Sequence, residues 1–366
     1  MSKKILILSG ISWTDTIQRH QRIAKYLVKN GNEVIFVESI MSSKFSIKKL
    51  IEKISLYLKK IVIVKKLEMT NTEANVYNAK VVNPHGIFVY YNHMKVKKLL
   101  KKIGNNYDVI INYLPIETTD YIIKNCTYKK LIYDCVRDFD NWGGYPKNLN
   151  IYEKKLLKES EVILTDSYYL KNKISNLLNY KEKVIQILPT LSQEEYDIYI
   201  KNYTKKFFKI NSLTYFGSVD KHIDIELLNK LANEYEINII GKIESNLKIS
   251  DRIKVYKFTS NLTELAKIIS KISDAIIIPY IGNMDGVIPA KLIQSLATGL
   301  PVYISSFYDS KILKENLYTF ENIEDLKNLI NNFDESSFEK IRNRNKILME
   351  KNIEDKSFEK ILGIIS

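Results

Sequence analysis

Short apolar runs that close on small polar residues alternate along the chain with stretches whose apolar positions recur every three or four residues. KILILSG (4–10) predicts a buried strand. Ile17, Ile23, Ala24 and Leu27 predict a helix stopped at Asn30-Gly31, and EVIFVES (33–39) predicts a second strand, completing a β-α-β unit. Further strands are predicted at 108–113, 130–135, 161–165 and 183–188. These runs are apolar throughout instead of alternating, the pattern of a parallel sheet covered on both faces.

The second half repeats the grammar. SLTYFGS (212–218) predicts a strand closing on Gly-Ser, followed by a helix over 223–235, strands at 237–241 and 253–256, a helix over 262–270 and the strand DAIIIPY (274–280). GVIPAKLIQSLATGLPVYIS (286–305) predicts a helix stopped at Thr298-Gly299, with Pro301 opening a strand. The expected organisation is a first domain over 1–195, a polar linker over 196–211, a second domain over 212–335, and terminal helices over 336–366 that could cross back to the first domain. The fold class is α/β, with two doubly wound parallel sheets facing a central cleft, where strand C-terminal ends and helix N-termini point inward.

Composition narrows the function classes. With 366 residues, 45% hydrophobic and 27% charged, the chain suits two folded domains. Cys126 and Cys135 cannot build a disulfide framework, and the N-terminus does not read as a signal peptide, so a reducing, cytoplasmic setting is expected. The longest apolar stretches, such as 61–64 and 274–282, fall short of the roughly 20 residues that cross a bilayer. Of the net charge of +14, +12 falls in residues 1–100, which hold 18 basic and six acidic side chains. Such a field attracts nucleic acid, anionic membrane or phosphorylated ligands alike. KFSIKKLIEKISLYLKK (44–60) predicts a basic amphipathic helix, read either as a reversible contact with the inner face of the cell membrane or as a helix packed on the core.

The helix beginning near Gly286 carries the strongest chemical signal. A helix N-terminus offers unpaired N–H groups and partial positive charge, and Lys291 in its first turns adds a point charge suited to a diphosphate; a plain buried helix with a solvated lysine is the rival. The four histidines show no metal-ligand spacing, and no metal is expected. Neither a G-x-S-x-G elbow nor a G-K-[ST] phosphate loop is present, and the 25 tyrosines are scattered, which argues against hydrolase, kinase and RNA-binding roles; no nucleic-acid partner is expected.

Four segments together resemble a known family. PAKLIQSLATGLPV (289–302) resembles the signature helix of GT-B nucleotide-sugar glycosyltransferases similar to glycosyltransferase family 4. ISWTDTIQRHQRIAKYLVKNGNEVIFVES (11–39), LIYDCVRDFDNW (131–142) and LTYFGSVDKHIDIELL (213–228) are similar to segments of a bacterial surface-polysaccharide, teichuronic-acid-type subset of that family, in the expected order. The resemblance implies a GT-B fold of two Rossmann-like domains and a metal-independent, retaining hexosyltransferase without a cofactor. Its donor would be a nucleotide sugar, UDP-linked, and its acceptor a glycan or lipid-linked saccharide bound by the first domain.

It also implies site residues. Gly217 and Ser218 would offer backbone N–H groups to the diphosphate, Lys221 a second cation, and Gly286, Val287 and Lys291 the helix start. On the acceptor side stand Ser12, Trp13, Arg19, Arg137 and Asp140, with Asp15 and Asp138 as the candidate catalytic carboxylates; Asp15 as a helix N-cap and Asp138 as a loop cap are the rival readings. The sequence departs from the family where two glutamates eight residues apart are usual. Gly286 stands at the first position and Gln294 at the second; Gln294 could still bond ribose hydroxyls, and Asp285 lies one residue from the first. A nucleotide-sugar 2-epimerase and a non-catalytic partner subunit of the same fold are the alternatives.

Overall fold

The computed structural model of the chain describes residues 2–15, 17–40, 74–82, 87–141, 149–178, 181–203 and 209–366. The basic segment 44–60 lies outside them. Two compact units result: Met1–Thr165, Ile174–Ile185 and Ile361–Ser366 form the first, Asp166–Lys173 and Gln186–Lys360 the second.

The first unit is built on β1 (Lys4–Leu8), β2 (Glu33–Glu38), β3 (Asn75–Asn78), β4 (Asn106–Asn112), β5 (Thr127–Cys135), β6 (Val162–Thr165) and β7 (Val184–Gln186). They form one sheet in the order β3-β2-β1-β4-β5-β6-β7, with β1 paired in parallel to both β2 and β4. Ile5, Leu6, Ile7 and Leu8 of the central β1 are wholly buried, which is why that run shows no alternation. The expected first helix runs over Arg19–Lys29. It starts after Ile17, which is half-exposed, because Gln18 caps it: the Gln18 N–H donates to Gln21 Oε1 at 2.9 Å.

The second unit is built on β8 (Ser212–Phe216), β9 (Glu236–Ile240), β10 (Lys254–Tyr256), β11 (Ala275–Ile278), β12 (Val302–Ser305) and β13 (Tyr318–Phe320). Its order is β10-β9-β8-β11-β12-β13, again with parallel pairing. The edge strands β3 and β13, of four and three residues, lack the apolar run that marks a buried strand and were not predicted. The polar stretch expected as a linker holds the C-terminal part of helix Gln193–Asn202, capped by Ser192 and Glu195 and seated by Tyr196 and Tyr199 on the second core.

The signature segment folds with one correction. Its helix is Ala290–Ala297, opened by Pro289, so Gly286 lies in the preceding turn at φ +83° and is not the helix start. Helices Glu335–Lys351 and Glu354–Ile365 end the chain. Residues 361–366 of the last helix and tail belong to the first unit, where Ile361 and Ile365 are buried and Lys3 Nζ donates to the Ser366 carbonyl at 3.2 Å. Among the described residues no helix is long and apolar enough to cross a membrane.

Candidate donor site and acceptor-side cluster

In the second unit three strand ends and one helix start converge. The loops leaving β8 and β9 run side by side: Gly217 N–H donates to Ile240 O at 2.9 Å and Val219 N–H to Lys242 O at 2.8 Å. Gly241 makes this possible, since a Cβ there would stand 1.9 Å from the Gly217 carbonyl oxygen. On the other side the β8 loop is tied to the end of β11, through Asp224 N–H to Pro279 O at 2.8 Å and Ile281 N–H to His222 O at 2.9 Å. Tyr280 is fixed between them.

Lys291, in the first turn of helix Ala290–Ala297, reaches into this junction. Its Nζ donates to Tyr215 Oη and lies 4.4 Å from the centre of the Tyr215 ring and 5.7 Å from that of Tyr280. Tyr215 Oη in turn donates to the Ser218 carbonyl at 2.7 Å. Gly217, at φ +119°, leaves room for the ammonium; a Cβ there would stand 2.9 Å from Nζ. Burial pushes Lys291 down to about 8, against the opposing pull of the Asp220 carboxylate.

The expected donor residues separate on this geometry. The Gly217 amide is spent on β9, whereas Ser218 is exposed and its N–H has no partner among the described residues. Lys221 is exposed on the same loop, and Gln294 is half-buried one turn beyond Lys291. Val287 closes the Gly286 turn, its N–H donating to Met284 O at 3.3 Å. Asp285 is pinned at one oxygen: its Oδ1 accepts the Tyr308 N–H at 2.8 Å. A glutamate at the left-handed Gly286 would be strained, so this turn is constructed for glycine. Behind it the wholly buried Asp309 accepts the N–H groups of Tyr168 and Tyr169 at 2.5 and 3.4 Å; burial, helped by the nearby Asp285 charge, pushes it up to about 6.

The first unit gathers a second polar cluster at the ends of β1, β4 and β5. Arg19 Nε donates to both oxygens of Asp134, at 3.1 and 2.8 Å, and the Asp134 side chain is wholly buried. The arginine expected as a phosphate fork is therefore braced by a carboxylate. His20 stacks on Tyr113 with centroids 3.6 Å apart, and its Nδ1 lies 2.9 Å from Ser9 Oγ. Burial, then the charges of Arg19 and Arg137, push His20 down to about 3. Glu38, at the end of β2, accepts from Ser12 Oγ at 3.1 Å and from the Trp13 N–H at 2.7 Å.

Asp15 is exposed and shapes its own turn, accepting the Ser12 N–H at 3.2 Å; the helix cap is Gln18 instead. Asp138 is buried and caps its loop, Oδ1 accepting the Asp140 N–H at 3.1 Å and Oδ2 the Asn141 amide at 2.8 Å, while Asp140 is exposed. Among the described residues no group of three or more His, Cys, Asp and Glu is placed to hold a metal. Sequence reasoning missed Tyr215, Tyr280, Gly241, Asp134 and Glu38. Gly241 at a strand end was the readable signal, whereas the tyrosines look like core aromatics until the lysine is seen above them.

No protein-family profile and no curated protein matches the sequence. Solved structures match it over nearly their full length. A glycosyltransferase from Rickettsia africae ESF-5 aligns at 14% identity and a TM-score of 0.67, covering 100% of this chain and 98% of that one. Sucrose-phosphate synthase from Thermosynechococcus elongatus aligns at 12% identity and 0.68, covering 98% and 97%. The chain has the GT-B fold. Another GT-B structure, Anabaena HepE in complex with UDP and glucose, aligns at 12% identity and 0.66, covering 99% of both chains. At these identities the likeness defines the GT-B fold, and chemistry has to be argued from the residues.

Proposed function

We propose that the chain is a glycosyltransferase of the family 4 type that moves a sugar from a UDP-sugar to a glycan or lipid-linked saccharide in bacterial surface-glycan synthesis. The observation that carries this is the Lys291 ammonium, half-buried beside the Gly217–Ser218 turn at a helix start, with the Ser218 amide unpartnered among the described residues. That arrangement suits a diphosphate. The Anabaena neighbour was crystallised with UDP and glucose, which agrees with a uridine donor.

In the reaction the bond from the anomeric carbon to the diphosphate oxygen breaks, and a bond to the acceptor hydroxyl oxygen forms. Charge gathers on the leaving diphosphate, where Lys291, Lys221 and the helix start neutralise it without a metal ion. Asp285, whose second oxygen has no partner among the described residues, accepts from the sugar, and Gln294 bonds the ribose. On the acceptor side the hydroxyl proton goes to Asp15, chosen because it is exposed while Asp138 is occupied in its loop. Retention of configuration and a peripheral membrane contact through 44–60 belong to this reading on the sequence resemblance.

The glycine-adapted turn at Gly286 favours one rival, a GT-B partner subunit without catalysis. Calorimetric titration with UDP, GDP and TDP and their sugars, followed by assay of sugar release, separates the readings. Saturable UDP-sugar binding with slow release supports the transferase; interconversion without release supports the epimerase; no nucleotide affinity supports the partner subunit.

A further inference from the structure

Tyr215 occupies an unusual station for a core aromatic. It is wholly buried in β8, where it pairs with Ile239 of β9. Burial also drives its phenol well above the ordinary tyrosine range, so the hydroxyl keeps its proton. That single proton goes to the Ser218 carbonyl, 2.7 Å away. Only lone pairs then remain for Lys291, and the lysine must be the donor in their contact.

A phenol oxygen that can only accept favours an ammonium over a neutral amine. The ring faces of Tyr215 and Tyr280 beneath Nζ act the same way, and the charge of the Asp220 carboxylate adds a pull that opposes burial. Among the described residues Lys291 makes no ion pair, so an arriving anion displaces no carboxylate in direct contact with it; the Asp220 carboxylate acts on it without such contact. Gly217 contributes only backbone.

We propose that Tyr215 is the positioning residue of the donor site: its hydroxyl fixes the Lys291 ammonium to the Gly217–Ser218 turn and retains the lysine proton, so that binding a nucleoside diphosphate in alkaline solution takes up a proton. This inference rests on the donor-site reading above. The diphosphate stabilises the charged lysine further, so bound protein holds the proton at pH values where free protein has released it. Affinity must then fall as pH rises through about 8, the value at which the free lysine titrates.

Titration of the full chain with UDP from about pH 7 to about pH 10, in buffers of different ionisation heat, measures affinity and counts protons at once. Wild type is expected to lose affinity above pH 8 with proton uptake. In Tyr215→Phe the fall should begin about one pH unit lower, with affinity at neutral pH weakened roughly fivefold by the lost clamp. Lys291→Arg, always charged, should bind without proton uptake across that range. Wild-type binding that is independent of pH, or a Tyr215→Phe midpoint equal to wild type, overturns the inference and leaves the donor site standing. An absence of UDP binding by wild type at every pH overturns the donor-site reading, and this inference with it.

Discussion

Lys291 and His20 are both bases that the fold removes from water, and burial lowers both, to about 8 and about 3. At neutral pH the first still carries its proton and the second does not. Lys291→Ala therefore removes a charge, and UDP affinity is expected to drop at least ~tenfold, about 1.4 kcal/mol, in a calorimetric titration. His20 affects stability instead. Its native value lies below the ordinary 6.5, so below that pH the unfolded chain binds a proton that the native chain refuses, and stability falls as pH drops toward 3. His20→Phe keeps a ring over Tyr113 and cannot titrate. Urea unfolding at about pH 7 and about pH 5 should show wild type losing on the order of 2 kcal/mol more than the variant. Asp309, raised to about 6, works in the opposite direction in the same window, but it is common to both proteins and cancels. Equal losses would show that His20 accepts its proton in the fold.

At the scale of elements, the donor turn depends on how closely two strand ends approach. Gly241→Ala would put a methyl 1.9 Å from the Gly217 carbonyl oxygen, a backbone atom that cannot swing aside. The β8 and β9 loops must part, and a cost of about 3 kcal/mol is expected in urea unfolding, together with weaker UDP binding because the Ser218 amide moves. Unchanged stability would show that the approach is looser than described. Much of this architecture was legible beforehand. Central strands such as β1 and β11 announce themselves because parallel strands buried on both faces must be apolar throughout. The edge strands β3 and β13 face less protein and carry no such mark. The site was legible where a residue type is rare in its setting, as with Lys291, the one charged residue of helix Ala290–Ala297. It was illegible where partners come from distant strands: nothing local says that Tyr215 sits beneath Lys291, or that Arg19 finds Asp134 115 residues away.

At the scale of the molecule, the chain passes repeatedly between its two units before its last six residues join the first. Sequence pattern showed terminal helices; their destination depends on contacts with residues more than 200 positions earlier. Ile361 and Ile365 are buried there, Lys130 Nζ donates to the Ile364 carbonyl, and Lys3 reaches Ser366. Burying two isoleucine side chains is worth roughly 3 to 6 kcal/mol, a large part of the stability of a single domain. Deleting residues 361–366 should therefore destabilise the first unit and spare donor binding, since Lys291, Tyr215 and the Gly217 turn all lie in the second. Trp13 packs edge-on against Phe36 of β2 in the first unit, so its fluorescence reports on that unit. The expected outcome is a fluorescence unfolding midpoint lowered by several degrees or more, with the UDP dissociation constant of the folded protein unchanged. A fluorescence transition that ignores the deletion would mean the C-terminal residues contribute nothing to the first core. A deletion that abolished UDP binding while leaving the fluorescence transition in place would instead show that the tail supports the second unit.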